Sequence, residues 1–117
     1  MELNHSIVDK QVILDLLYGD EDYFNEFVSA SVDSFTEFKD NYKQSMRMRD
    51  MESLRKTGHK IKPVAQMMNL DPILEMYEES KELIEAEAPD KQLNDLMDDM
   101  NVYCEKLLKE LKELENN

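Results

Sequence analysis

Apolar residues recur at steps of three and four along most of this 117-residue chain. Such spacing places them on one face of a helix, so it predicts a series of amphipathic helices. The chain contains two glycines and three prolines, which leaves little material for turns and sheets, while its many Leu, Met, Glu and Lys residues favour helix. We therefore expect an all-α protein.

Start and stop signals divide the chain into one short and four long helices. The short helix spans about residues 6–18 and is ended by Gly19, because glycine readily takes the backbone conformation that follows a helix. Asp50 and Pro72 suit the starts of two later helices. The expected bounds of the long helices are about 20–46, 50–69, 72–87 and 90–114. This pattern predicts an antiparallel four-helix bundle, one domain over residues 1–117, with the short helix as a cap.

Two apolar stripes have alternative interpretations. Four phenylalanines on the first long helix could line a ligand pocket, but such a stripe more often forms a packed core. The last helix has a near-heptad pattern that could form a coiled-coil dimer, yet its stripe is wider than a coiled-coil seam. We expect both stripes to face the bundle core and the chain to be a monomer. Cys104, the sole cysteine, is expected in the core as well.

The overall charge restricts the classes of partner. A net charge of −13 repels nucleic acids and anionic membrane surfaces, so neither is expected as a partner. No stretch approaches about 18 consecutive apolar residues, and the N-terminal residues lack the pattern of a signal peptide. We expect a cytoplasmic protein.

One segment has the opposite charge. Residues 54–62 contain Arg55, Lys56, Lys60 and Lys62 and no acidic residue, so this segment carries +4. With Leu54 taken as the core direction and about 100° per residue, His59 points about 140° away from the core. On the same scale Lys62 lies at about 80°, Arg55 at about 100°, Gln66 at about 120° and Pro63 at about 180°. The imidazole therefore faces solvent among cations and an amide, which suits the handling of an anionic group.

At these residues the chain resembles the histidine-containing phosphotransfer (HPt) domains of bacterial and fungal phosphorelays. The family pattern is His-x-x-Lys-Gly on the second helix of the bundle, preceded by a small residue. Here the corresponding run is Gly58-His59-Lys60-Ile61-Lys62-Pro63, and the resemblance covers essentially all 117 residues. The departure is Pro63, which stands where the family has glycine.

The resemblance implies a role for each matching residue. His59 is the expected phosphoacceptor, and Lys62 is expected to stabilise the phosphoryl oxygens. The other expected stabilising residues are Arg55, Lys56 and Gln66. The expected docking surface for a receiver domain consists of Pro63, Val64 and Met67. The family often has a glutamine on the neighbouring helix, and Ser80 or Lys81 is nearest to that position here.

The implied function is that of a phosphocarrier rather than an enzyme. Receiver domains of response regulators and a hybrid sensor histidine kinase are the expected partners, and the receiver brings Mg²⁺, so no cofactor is expected on this chain. Pro63 favours one alternative, a degenerate HPt domain or adaptor that binds partners without being phosphorylated. A metal-binding bundle is a weaker alternative, because the one Glu-x-x-His match, Glu2 to His5, has no second copy. No metal ligand is therefore expected.

Overall fold

The computed structural model describes residues 6–115, which form five α-helices and no strand. The helices are α1 Lys10–Leu16, α2 Glu21–Met48, α3 Met51–Met67, α4 Asp71–Glu85 and α5 Asp90–Glu115. The four long helices pack in chain order, and α5 also packs along α2, which closes the bundle. Since each connection is short, successive long helices run in opposite directions. The all-α bundle with a short N-terminal helix is confirmed.

Aspartate side chains at the starts of α2 and α3 accept hydrogen bonds from free backbone N–H groups, whereas α4 has no side-chain cap. The Asp20 carboxylate accepts hydrogen bonds from the backbone N–H groups of Asp22 and Tyr23, at 3.0 and 3.1 Å, at the start of α2. The Asp50 carboxylate accepts from the N–H of Ser53, at 3.1 Å, at the start of α3. The Asp50 cap confirms the predicted start signal of α3, because Asp at this position replaces missing intrahelical bonds, and Asp20 has the same role in α2.

The first helix is shorter than predicted at both ends. It begins at Lys10 because Asp9 is its N-cap, with a carboxylate that accepts a hydrogen bond from the N–H of Gln11 at 2.9 Å. Before this cap, the N–H groups of Ile7 and Val8 both donate to Oε1 of Glu110 on α5, each at 2.8 Å. It ends at Leu16, since Tyr18 and Gly19 have left-handed backbone angles, with φ of 56° and 75°. The glycine stop signal was correct, and the helix ends before it.

The core contains the predicted stripes. On α2, Phe24, Phe35 and Phe38 are buried and Phe27 packs at the edge of the core, so the phenylalanines form core and not a ligand pocket. Cys104 on α5 is fully buried, as predicted. No helix in the described part of the chain is both long enough and apolar enough to cross a membrane.

Candidate functional site

The site is the solvent-facing side of α3. His59 is exposed in the interior of this helix, while Leu54, Ile61 and Ala65 are buried on the opposite side. The helical spacing in the sequence predicts this arrangement, because positions at three- and four-residue steps share a face. The predicted stabilising residues Arg55, Lys56, Lys62 and Gln66 are all exposed on the same helix.

One of the four cations in residues 54–62, Lys60, forms an ion pair with α2 on the side of His59 that faces that helix. The ammonium of Lys60 lies 3.3 Å from Oε2 of Glu37 on α2, across a small cavity of about 90 Å³. Within residues 6–115, Arg55, Lys56 and Lys62 have no carboxylate at ion-pair distance. These three cations are therefore free to meet an anion brought to the imidazole.

On the other side, α4 approaches α3 closely at Gly58, the residue before His59. Gly58 is buried, and the ring and hydroxyl of Tyr77 lie directly over it, so a Cβ at this position would overlap them. The Nζ of Lys81 lies 4.7 Å from the centroid of the Tyr77 ring. Glycine at this position thus has a packing reason, because it is the residue that permits such an approach.

The Tyr77 hydroxyl remains protonated in this environment. Burial raises the pKa of Tyr77 above its ordinary value, and the Glu78 carboxylate acts in the same direction. The cations of Lys81 and Arg55 oppose this shift in the pKa without reversing it. The hydroxyl is thus a hydrogen-bond donor, with positive charges from both α3 and α4 near it.

The structure distinguishes Ser80 from Lys81, the two α4 residues that spacing along the sequence places nearest to the expected glutamine position. Ser80 is fully buried, and its hydroxyl donates to the carbonyl of Met76 at 2.7 Å. The hydroxyl of Tyr42 lies 2.7 Å from the Ser80 oxygen and must be the donor, because the one Ser80 proton is already used. Ser80 therefore belongs to the core, and its suggested place at the site is wrong. Lys81 lies beside Tyr77 at the junction of α3 and α4.

The predicted docking residues form the apolar part of the face. Pro63 is exposed within α3, Val64 is half-buried and Met67 is 41% exposed. At about 100° per residue, these three side chains lie roughly 180–280° from the core direction, on the α2 side of His59. Arg55, Lys62 and Gln66 lie on the α4 side, and Lys56 lies on the α2 side. The α2 side of the face thus combines these three apolar residues with Lys56 and Lys60, and the α4 side is polar.

Proline also changes the backbone at the site. Pro63 has no N–H, so the carbonyl of His59 lacks the hydrogen bond that an α-helix normally provides from that position. α3 nevertheless remains helical through Pro63 to Met67. Proline at this position thus preserves the helix that carries His59.

Two other possible sites are a metal centre and a groove between α2 and α5. Among residues 6–115, no group of three His, Cys, Asp or Glu side chains could hold a metal ion, and the Glu2 to His5 motif lies outside the described residues. A groove of about 400 Å³ between α2 and α5 contains Lys43 and Arg47 but also Asp98, and no residue of α3 lines it. The groove is therefore separate from the His59 face.

Fold and site together define a helical bundle that presents one histidine among cations. Comparison of the chain with protein-family models, curated proteins and solved structures finds no match. Sequence reasoning missed Tyr77 as part of this face. The available signal was Gly58, since a glycine in a helix interior weakens the helix and so indicates a close neighbour.

Proposed function

We propose that this chain is a histidine phosphotransfer protein, in which His59 carries a phosphoryl group between receiver-domain aspartates. The observation that supports this most directly is the exposure of His59 beside Arg55, Lys56 and Lys62, three cations without an ion-pair partner among the described residues. In a chain of net charge −13, such a face is suited to an anionic group. It is also unobstructed, so a partner can approach the imidazole.

The proposed step is an in-line displacement at phosphorus. A neutral nitrogen of His59 attacks the aspartyl phosphate of a receiver domain, the N–P bond forms and the P–O bond to aspartate breaks. The bonding electron pair stays on the aspartate as a carboxylate, and no proton has to move in this step. The receiver brings Mg²⁺, while the cations of Lys62 and Arg55 of this chain stabilise the negative charge on the phosphoryl oxygens. Transfer to a second receiver is the reverse displacement.

The apolar side of the face has a separate proposed role. Pro63, Val64 and Met67 are the proposed contact surface for the receiver, since they combine exposure with apolar character beside the nucleophile. The chain thus supplies a nucleophile and a docking surface, and the receiver supplies most of the catalytic groups. It acts as a phosphocarrier rather than as an enzyme with its own turnover.

The test is phosphorylation by a phosphorylated receiver domain with Mg²⁺, followed by intact-mass measurement. We expect the wild-type chain to gain one phosphoryl group, as an acid-labile and base-stable adduct, and His59→Gln to gain none. His5→Gln, which removes the other histidine, is the matched control and should behave as wild type. If competent receivers phosphorylate neither the wild-type chain nor the control, the proposal is wrong.

A matched pair of lysines tests the role of the cations. Lys62→Ala should slow transfer by about tenfold, because it removes a charge-assisted contact to the phosphoryl group. Lys60→Ala should change the rate little, since this lysine is paired with Glu37. Equal losses in the two variants would show that only the total charge of the segment matters.

The second candidate is a binding module that uses the same face without phosphorylation. Pro63 favours it, because proline adds bulk at a position where the HPt family has glycine. A module of this kind would bind receivers as tightly after His59→Gln as before and would never gain a phosphoryl group. The mass measurement and a binding titration with the same receiver therefore separate the two functions.

A further inference from the structure

We infer that α4 supplies a direct ligand for the phosphoryl group, with the hydroxyl of Tyr77 donating a hydrogen bond to a phosphoryl oxygen on His59. This inference rests on the proposed function. It adds a group from a second helix to the set of α3 side chains that the sequence pattern suggests.

The first support is the position of the hydroxyl. Tyr77 crosses from α4 to α3, and the far end of its ring, together with the hydroxyl, lies over Gly58, next to His59 in the chain. Because Gly58 lacks a side chain, this hydroxyl lies against the backbone of α3 one residue before the histidine. The packing therefore holds a donor at the edge of the His59 face.

The second support is that the hydroxyl is not used within the bundle. Tyr77 is 6% exposed, yet its hydroxyl has no hydrogen-bond partner among the described residues. No fully buried side-chain oxygen in residues 6–115 lacks a partner, so the Tyr77 oxygen must be in contact with solvent. Tyr42 differs, because its hydroxyl donates to Ser80 inside the core. Tyr77 thus combines an immobilised ring with an available donor.

The third support is the charge around the hydroxyl. Arg55 on α3 and Lys81 on α4 both act electrostatically on Tyr77, and the ammonium of Lys81 lies 4.7 Å from its ring centroid. Glu78 is the opposing charge in this group, but Lys81 pairs with it at 3.2 Å. A dianionic phosphoryl group between α3 and α4 would thus meet a neutral donor and the guanidinium of Arg55, while the charges of Lys81 and Glu78 offset each other.

The test compares Tyr77→Phe with Tyr103→Phe. Phenylalanine keeps the ring that packs on Gly58 and removes only the hydroxyl. Tyr103, a partly buried tyrosine of α5 whose charged neighbours are Glu110 and Asp71, is the matched control. The measurement is the equilibrium distribution of the phosphoryl group between a receiver and this chain, together with the ³¹P chemical shift of the phosphohistidine.

Tyr77→Phe should shift the equilibrium constant by about tenfold towards the receiver and should move the ³¹P resonance. Tyr103→Phe should do neither. An unchanged equilibrium and ³¹P shift in phosphorylated Tyr77→Phe would overturn the inference while leaving the phosphocarrier function intact. If the wild-type chain accepts no phosphoryl group, both proposals are wrong.

A measurement on the wild-type chain covers the case in which Tyr77→Phe does not fold. Phosphorylation should shift the ring ¹H and ¹³C resonances of Tyr77 and leave those of Tyr103 in place. Unmoved Tyr77 resonances would contradict the hydrogen bond without any substitution.

Discussion

At the scale of single residues, the contact between Gly58 and Tyr77 reverses the usual effect of a glycine-to-alanine substitution in a helix. Gly58→Ala would normally stabilise a helix interior, by about 1 kcal/mol. Here the added Cβ overlaps the Tyr77 ring, so we expect the substitution to lower the free energy of unfolding by about 1–3 kcal/mol, as overpacking does. Urea denaturation followed by circular dichroism gives this quantity.

The double variant isolates the cause. In a Tyr77→Ala background the obstacle is absent, and Gly58→Ala should then raise the free energy of unfolding by up to about 1 kcal/mol, the helix-propensity term alone. The sign of the Gly58→Ala effect should therefore depend on residue 77. If alanine destabilises the protein equally in both backgrounds, Tyr77 is not the reason for the glycine.

The residues of the site differ in whether the sequence alone can predict their position. The outward direction of His59 follows from helical periodicity, because that depends on neighbours within one helix. The role of Tyr77 depends on how α4 is placed against α3, which no local pattern encodes. Spacing along α4 left Ser80 and Lys81 as alternatives for the same reason, since it did not show that the Ser80 hydroxyl accepts from Tyr42.

At the scale of the helix, Pro63 lies in the interior of α3 and lowers the stability of this helix. Its ring removes one backbone hydrogen bond and crowds the preceding turn, an effect of about 3 kcal/mol in an ordinary helix interior. Proline also restricts the unfolded chain, which offsets about 0.4–1 kcal/mol. Pro63→Ala should therefore raise the free energy of unfolding by about 2–3 kcal/mol, measured by urea denaturation.

A control at an ordinary position of the same helix makes the comparison meaningful. Gln66→Ala changes an exposed residue without altering the backbone and should stay within about 0.5 kcal/mol of wild type. If Pro63→Ala is neutral or destabilising, α3 has a local geometry that requires proline. A receiver that then binds Pro63→Ala more weakly would indicate that docking depends on this geometry.

The starts of α1, α2 and α3 are marked by aspartate caps, which are local signals, whereas contacts between distant residues leave no local signal. Asp20 and Asp50 cap their own helices, so the starts of α2 and α3 could be predicted. The start of α1 has the same kind of local signal, since Asp9 accepts from the N–H of Gln11, and the predicted start at residue 6 did not use it. The sequence could not show that the preceding backbone, at Ile7 and Val8, is bound by Glu110. Local capping is readable from sequence, whereas a tertiary hydrogen bond is not.

At the scale of the whole molecule, the closed bundle excludes water from some ionisable side chains, which no single helix can do. Burial raises the pKa of Cys104 to about 12, and the nearby Glu105 also raises it while Lys39 opposes. Burial also raises the pKa of Tyr42 to about 12, partly offset by its hydrogen bond with Ser80. Both groups are therefore neutral in the folded protein well above the pH at which they ionise in the unfolded chain.

The sign of the resulting pH dependence follows from proton binding. Between the ordinary pKa of each group and its raised value, the folded state holds a proton that the unfolded state has lost, so stability falls as pH rises. The stabilising contribution is complete below pH 9 for Cys104 and below pH 10 for Tyr42, and it is lost towards pH 12. Each group lowers the free energy of unfolding by about 1.4 kcal/mol per pH unit within its range.

Urea denaturation at pH 8, 10 and 11 should therefore show a steep loss of stability, and Cys104→Ala should show a shallower one. Removing the thiol creates a small cavity and lowers stability at pH 8, but it eliminates one ionisable group, so the variant and wild type should converge as pH rises. Parallel curves for the two proteins would mean that water reaches Cys104 before global unfolding. The bundle would then open locally along α5, and the core around this residue would be less tightly closed than its burial indicates.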